Sequence, residues 1–575
     1  MMRILTGIGV SPGVAIGKAF VREPQKFNVQ CRHIETHTIE DEKNRFFDSI
    51  KKTVQDIEHL ITTLSFSIED QEILETHKMI LLDPELEINV LGEIEAELVC
   101  LEFALYNYFT GVIDVFDNME NEYFSQRAID FKEVAHRLLN YLSGETDAYI
   151  EELSGEHILL MEEMPPSKVT EFAAHDVPGI CAVKGSKTSH SAIIARSIGI
   201  PMVIGIPNLL KKAVEGETVI VDGRNGLVIF SPDEDTLKKY KKYRWRQIKH
   251  KDDLKYLTGK PAITRDGVRI KILNNIEFPK ELDLIKQNGA DGVGLFRTEF
   301  LYIDKKELPD ETFQYNIYRE IAEKLHPNPL VIRTFDLGGD KLSGFLNIKQ
   351  ERNPNLGCRG IRLSLQYTDI FRIQLRAILR AAVSGNISVM FPMITGLDDY
   401  RAAMKILRKV RAELVAEGIE CSESLSVGVM IEVPSAAILA DQLAKECDFF
   451  SIGTNDLIQY TLAVDRDADN VARYYSGYHP AVLHLIEITV NSAKKANIPV
   501  SICGEMASER DFIPFLIGLG IRQLSVSPSM TLITKEQVMK LDSNALAGII
   551  PEVKSRGSIT EEQEYLKQWR TEHEY

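Results

Sequence analysis

No run in this chain is apolar for long enough to span a bilayer. Met1-Met2-Arg3-Ile4-Leu5 leads into glycine turns where a signal peptide would carry its apolar core. A cytoplasmic location with no membrane partner is therefore expected. The cysteines, Cys31, Cys100, Cys181, Cys358, Cys421, Cys447 and Cys503, show no CxxC and no Cys/His ligand spacing. That argues against a disulfide framework or a zinc site and leaves small buried side chains. Positive charge is outnumbered, 67 Lys and Arg against 84 Asp and Glu for a net of −17, so no nucleic-acid partner is expected. The glycine-rich stretch Gly7 to Ala19 lacks the GK[ST] ending of a phosphate loop. It reads as a structural turn feeding a strand.

What is present fills 575 residues, enough for roughly three or four domains. From Ile39 the pattern is helical: Phe46, Ile50, Val54, Ile57, Ile61 and Leu64 make one apolar stripe. Ile68–Leu82 is a second helix broken at Asp83-Pro84. Segments near 85–119 and 123–142 complete a four-helix set, so 26–143 is a helical domain. Residues 1–25 and 144–232 alternate short strands and helices, with a hairpin through Asp222-Gly223-Arg224-Asn225-Gly226. They form a small α/β domain into which the helices are inserted. Residues 233–260 are the interdomain linker. Their basic, aromatic run Lys238–Arg246 reads as a solvated helix with aromatics able to dock on a neighbour; a nucleic-acid patch is the weaker alternative. Over 261–575, candidate strands at 268–273, 292–296, 331–335, 388–391, 427–431, 449–452, 500–503 and 523–526 alternate with helical stretches. The expected fold is a (β/α)8 barrel, with a doubly wound open sheet as the alternative.

Two places carry chemistry. Lys184–Arg196 puts His190 at a helix start, where free N–H groups and the helix dipole favour an anion such as a phosphate carried on the imidazole; the alternative on these residues alone is an ordinary surface histidine beside a Thr-Ser cap. The residues just past the barrel strands form the second. They are Arg297 and Glu299, Arg333 and Asp336 with Gly338-Gly339-Asp340-Lys341, Glu432, Asn455 and Asp456, and Cys503-Gly504-Glu505, with Arg359 and Arg466 on loops. Converging arginines and carboxylates suit a small phosphorylated carboxylate bound through Mg²⁺; a set of ordinary salt bridges is the alternative. Cys503 alone reads as a buried thiol, and beside an arginine-rich pocket as a general acid.

Lys187-Thr188-Ser189-His190-Ser191-Ala192 resembles the phosphohistidine signature of enzyme I of the phosphoenolpyruvate:sugar phosphotransferase system. Gly294–Leu301, Phe391-Pro392-Met393, Val429–Glu432, Gly453–Arg466 and Cys503-Gly504-Glu505 resemble its barrel motifs in order and spacing. The resemblance implies a multidomain α/β protein: a phosphohistidine domain carrying the helical insertion, followed by a (β/α)8 barrel that dimerises. It implies autophosphorylation of His190 by phosphoenolpyruvate, release of pyruvate, and transfer to the histidine carrier HPr. Arg297, Arg333, Arg466 and Asn455 would bind phosphoenolpyruvate, Arg359 would assist transfer, Glu432 and Asp456 would hold Mg²⁺, and Cys503 would protonate the enolate. The helical insertion, with His77 and Arg127, corresponds to the HPr-docking domain.

The chain departs from the family pattern at Gly185-Ser186-Lys187, where Gly-Gly-Arg is usual, and at Val169, where a threonine is usual. Cys358 stands where an aromatic is often found. These bear on rate and on histidine orientation, not on reaction class. Two alternatives share the fold: a weakened regulatory protein, and a phosphoenolpyruvate synthase-like or dikinase-like enzyme, whose ATP-grasp domain has no room here.

Overall fold

The structure, a computed structural model, describes residues 2–11, 13–22, 29–63, 68–117, 122–143, 156–164, 169, 172, 177–185, 191–192, 195, 199–302, 307–338, 353–465, 471 and 474–573. The chain forms two compact units, Met1–Lys249 and His250–Tyr575.

In the first unit the strands are β1 (Arg3–Thr6), β2 (Ile8–Ser11), β3 (Val14–Arg22), β4 (His157–Met161), β5 (Gly179–Ala182), β6 (Met202–Ile204), β7 (Thr218–Asp222) and β8 (Leu227–Phe230). They make one eight-stranded sheet in the order β1-β8-β7-β3-β4-β5-β6-β2. Strands β3 to β6 run parallel, and antiparallel pairs flank them. The β7–β8 turn is held by Asp222, whose Oδ1 accepts the Asn225 N–H at 3.0 Å.

Between β3 and β4 lie α1 (Ile39–Thr63), α2 (Ile68–Leu81), α3 (Pro84–Glu97), α4 (Leu101–Asp117) and α5 (Glu122–Ser143). The apolar stripe of α1 points inward at Phe46, Ile50 and Ile57, and Leu86, Val90, Ile94, Leu105, Phe109 and Leu138 complete that core. Asp83 ends one helix and caps the next, its carboxylate accepting the Glu85 N–H at 2.9 Å ahead of Pro84 at the first helical position.

The stretch read as one helix over 85–119 is two, which corrects the four-helix count. Leu98 takes a left-handed conformation at φ 52° and closes α3 through its N–H to the Ile94 carbonyl. Val99 then bridges His33, and backbone bonds of 2.8 and 2.9 Å join Ile34 to Leu98 and Cys100 to Arg32. Pairing with a distant segment makes this break, and neither glycine nor proline marks it locally.

A helix over Glu234–Asp253 occupies the linker. Its Leu237 and Tyr240 pack on Val14, Ile220 and Ile229 of the sheet, and the Tyr240 hydroxyl donates to Asp222 at 3.4 Å. Lys241 and Lys242 stay exposed, as a solvated helix requires.

The second unit opens with β9 (Ala262–Ile263), antiparallel to β10 (Arg269–Ile276). There follow β11 (Val293–Phe296), β12 (Leu330–Arg333), β13 (Ile387–Phe391), β14 (Ser426–Ile431), β15 (Phe449–Ile452), β16 (Val500–Ile502) and β17 (Gln523–Val526). Each strand from β10 pairs in parallel with the next, and β17 pairs in parallel with β10. The ring is a closed (β/α)8 barrel, and the open-sheet alternative is excluded. Among the described residues no helix is long and apolar enough to cross a membrane.

Candidate active site

Because the barrel strands are parallel, the residue following each one emerges at the same face. Arg297 and Glu299 follow β11, Arg333 ends β12, and Glu432 follows β14. Asn455 and Asp456 open the helix after β15, and Cys503 follows β16.

Asp336 is the hub. Its carboxylate accepts from Arg333 Nη1 at 3.2 Å, and from Arg359 Nε at 3.2 Å and Nη2 at 2.8 Å. Glu299 accepts from Arg333 Nη2 at 3.0 Å and from the Asp336 N–H at 2.7 Å, fixing both. Arg359 Nη1 also reaches the Asn355 side chain and the Tyr460 hydroxyl, both at 3.2 Å, and lies 3.9 Å from Asp456. Arg297 pairs with Glu277. Gly360 lets the loop approach: it sits at φ +56°, and a Cβ there would meet Met393 Cγ at 2.8 Å and Asp336 Oδ1 at 2.9 Å.

Burial disfavours charge on Arg333 and Arg359, but their carboxylate neighbours outweigh it, so both guanidiniums are held more basic than usual. Burial likewise pushes the Asp336 carboxyl up, and the two arginines overturn this to leave it below the ordinary range. Glu432 goes the other way. Burial, then Asp336 and Asp456, push it up to about 8.

Glu432 Oε1 accepts the N–H of Met393 at 2.6 Å, an amide aimed by a left-handed backbone at φ 55°. Its Oε2 is buried with no hydrogen-bond partner, and so is Asp456 Oδ1. These are hard oxygen donors from the ends of neighbouring strands β14 and β15, and they fit a cation that takes few protein ligands and keeps water and substrate oxygens. Among the described residues no group of three or more His, Cys, Asp or Glu stands ready to hold a metal.

Cys503 lies against Leu295, Met390 and Met430, an apolar floor that also meets Arg333 Nη1 at 3.9 Å through Met430 Sδ. Burial pushes its thiol up to about 11, so it stays protonated at neutral pH. Asn275 fixes its backbone, donating to the Cys503 carbonyl at 2.9 Å and accepting from Ser525 at 2.6 Å. Asn455 Oδ1 accepts the Glu505 N–H at 3.0 Å, and its carbonyl accepts from Tyr475 at 3.1 Å. Both Asn455 and Glu505 border a cavity of about 300 Å³ walled by Tyr475, Tyr478 and Phe512.

His190, Ser186, Lys187, Gly339-Asp340-Lys341 and Arg466 lie outside the described residues, as does the side chain of Arg127 on α5. Near His190, Ser191 is buried and donates to the Met164 carbonyl, and Ser11 donates to the Ala195 carbonyl at 3.2 Å. Val169 is fully buried beside Phe172, while Cys358 donates to Gln366 at 3.0 Å. His77 has no exposed surface, and its Nε2 sits 3.6 Å from Asp130 and 3.4 Å from Glu133.

Sequence reasoning misses Asn275 and Glu277, because the pattern predicts a first barrel strand that stops at residue 273. The strand runs to Ile276; apolar Ile276 after Asn274-Asn275 was the available signal. Tyr460 reaches Arg359 from about a hundred positions along the chain, and local pattern held no sign of that; Asn355 lies only four residues before Arg359 on the same loop.

A closed parallel barrel with clustered guanidiniums and carboxylates at its strand ends has the architecture of an enzyme site that can hold a small anionic substrate. Three family models agree on the class: PEP-utilising enzyme, N-terminal, over residues 6–127; the mobile domain over 153–226; and the PEP-binding domain over 251–543. The phosphoenolpyruvate-protein phosphotransferase of Priestia megaterium is 38% identical over 569 residues, covering 99% of both chains. That of Bacillus subtilis (strain 168) is 38% identical over 571 residues, covering 99% of this chain and 100% of the relative. The chain belongs to the phosphoenolpyruvate-protein phosphotransferase family. An NMR structure of enzyme I (nEIt) is 33% identical, with a TM-score of 0.36, over 42% of this chain and 99% of that one.

Proposed function

We propose that this transferase moves the phosphoryl group of phosphoenolpyruvate onto His190, releases pyruvate, and passes the group to a histidine of the carrier HPr, opening a sugar phosphotransferase system. The observation that carries the reading is the Arg333–Asp336–Arg359 cluster set beside buried oxygens of Glu432 and Asp456 that accept no hydrogen bond.

Arg297, Arg333 and Arg466 clamp the carboxylate and phosphate of the donor with the Asn455 amide, and Arg359 offsets charge on the phosphoryl group in flight. The neutral imidazole of His190 forms the N–P bond as the enol C–O–P linkage breaks at phosphorus, leaving the electron pair on the enolate oxygen. Cys503 gives its proton to the terminal carbon, completing pyruvate. Even with Glu432 protonated, Glu277, Glu299, Asp336 and Asp456 outnumber the described guanidiniums around them, Arg297, Arg333 and Arg359, so a trianionic substrate needs further positive charge. Glu432 and Asp456 would hold Mg²⁺, which supplies that charge when bound.

His190 belongs to the first unit and the barrel to the second, so transfer requires the two to meet. For the carrier, the helical domain offers Met79 and Leu82, 64% and 57% exposed, as apolar docking points. Pairing of two chains through the barrel completes the reading; sedimentation velocity checks it.

Labelled phosphoenolpyruvate with Mg²⁺ and no ATP tests the whole. The expected result is an acid-labile phosphoprotein and stoichiometric pyruvate, with label lost on adding HPr. Label persisting in His190→Ala would sink the site, and an unlabelled parent would favour a regulatory protein that has lost turnover.

A further inference from the structure

We propose that Thr298 and Gln374 are positioning residues that hold Arg297 and Arg333 in register; this rests on the reading of the barrel mouth as the phosphoenolpyruvate site. Arg333 ends β12 and Arg297 follows the neighbouring strand β11, but no β11–β12 pair includes Arg297. The last β11–β12 pair is Phe296 with Ile332, and the register is already irregular between Val293 and Phe296. Arg297 and Thr298 lie beyond it.

A buried chain of side-chain hydrogen bonds replaces the missing rungs. The Thr298 hydroxyl donates to the Arg333 carbonyl at 3.0 Å. Gln374, reaching in from the helix Thr368–Ala381, donates through Nε2 to Thr298 Oγ1 at 3.0 Å and to the Tyr318 hydroxyl at 3.2 Å. Its Oε1 accepts the Phe335 N–H at 3.1 Å. One amide therefore brackets Arg333, directly at Phe335 and through Thr298 at its carbonyl.

The proton directions are determined. A backbone N–H can only donate, so the Gln374 oxygen must face Phe335 and the NH₂ must face the two hydroxyls. Thr298 then accepts from Gln374, and its own proton is left for Arg333. Tyr318 passes its proton to Gln314 Oε1 at 3.0 Å, and Gln314 Nε2 ends the chain on the Pro309 carbonyl at 3.1 Å. Thr298, Gln374, Tyr318 and Gln314 are all fully buried, so water cannot substitute for a lost partner. Neither Thr298 nor Gln374 need touch substrate; both act through the arginines.

The test compares Thr298→Val, Thr298→Ser and Gln374→Glu with the full-length parent in steady-state transfer from phosphoenolpyruvate to HPr. Valine keeps the volume and removes the bridge, so KM for phosphoenolpyruvate should rise about tenfold while KM for HPr stays at the parental value. Serine keeps the hydroxyl and should return KM to within about twofold of the parent. A protonated glutamic acid at 374 can donate to Thr298 and accept from Phe335, but an ionised one cannot donate. Gln374→Glu should therefore approach the parent near about pH 5.5 and lose affinity for phosphoenolpyruvate as pH rises, a profile absent from the parent. A parental KM in Thr298→Val, equal rises in both KM values, or a flat Gln374→Glu profile would overturn the inference. Should Thr298→Val fail to fold, the serine and glutamate variants decide alone. A parent that takes no label from phosphoenolpyruvate would count instead against the proposed function.

Discussion

Asp336 shows how one carboxylate can serve two cations: with Arg333 on one side and Arg359 on the other, each arginine is positioned by the partner of its neighbour. Asp336→Asn keeps the shape but leaves two buried guanidiniums short of countercharge. We expect kcat/KM for phosphoenolpyruvate to fall about 100-fold, measured by pyruvate release, with a lower melting temperature. Glu432 makes a second prediction, on pH. Its ordinary value is 4.5, as in the unfolded chain, and in the folded protein it is about 8. Between these values the folded state holds the extra proton, so the metal-free protein should lose stability as pH rises through the window. A bound cation must displace that proton. Calorimetry at pH 7 in buffers of differing ionisation enthalpy should show close to one proton released per Mg²⁺, and Glu432→Gln should release none.

At the level of elements, legibility followed the range of the forces involved. All eight barrel strands were readable because strands buried on both faces are short apolar runs bounded by polar turns. Ring closure was not, since it depends on β10 meeting β17, a pairing that leaves no local trace. The strand-end rule delivered Arg297, Arg333, Glu432, Asp456 and Cys503 as candidates, whereas Gln374 and Tyr460 were missed because they reach the mouth from helices. The Leu98 break was invisible for the reason it forms, a bridge to His33 across the domain. Its left-handed leucine is a strain that glycine would relieve. Leu98→Gly should leave the helical domain as stable or more so, by about 0.5–1 kcal/mol, whereas Leu98→Pro should destabilise it; chemical denaturation followed by circular dichroism separates the two.

At the scale of the whole molecule, donor chemistry and acceptor histidine are assigned to different units, and neither unit alone holds a complete reaction. Strand ends pointed to the arginine cluster and a helix start to His190, but neither local signal refers to the other; only the family resemblance, carried by both sets of motifs, joins them. The ring of the second unit also sets the order of events at birth. Its first strand, β10, hydrogen-bonds both to β11 and to β17, so the chain must be made as far as Val526 before the opening strand has both neighbours. During synthesis β10 waits with one edge bare, a template for any passing strand. Chains stalled on the ribosome with residue 515 just outside the tunnel should therefore be digested by protease across the barrel, and those stalled with residue 545 outside should resist. The mature ring has no edge to offer, so the hazard belongs to the nascent chain alone.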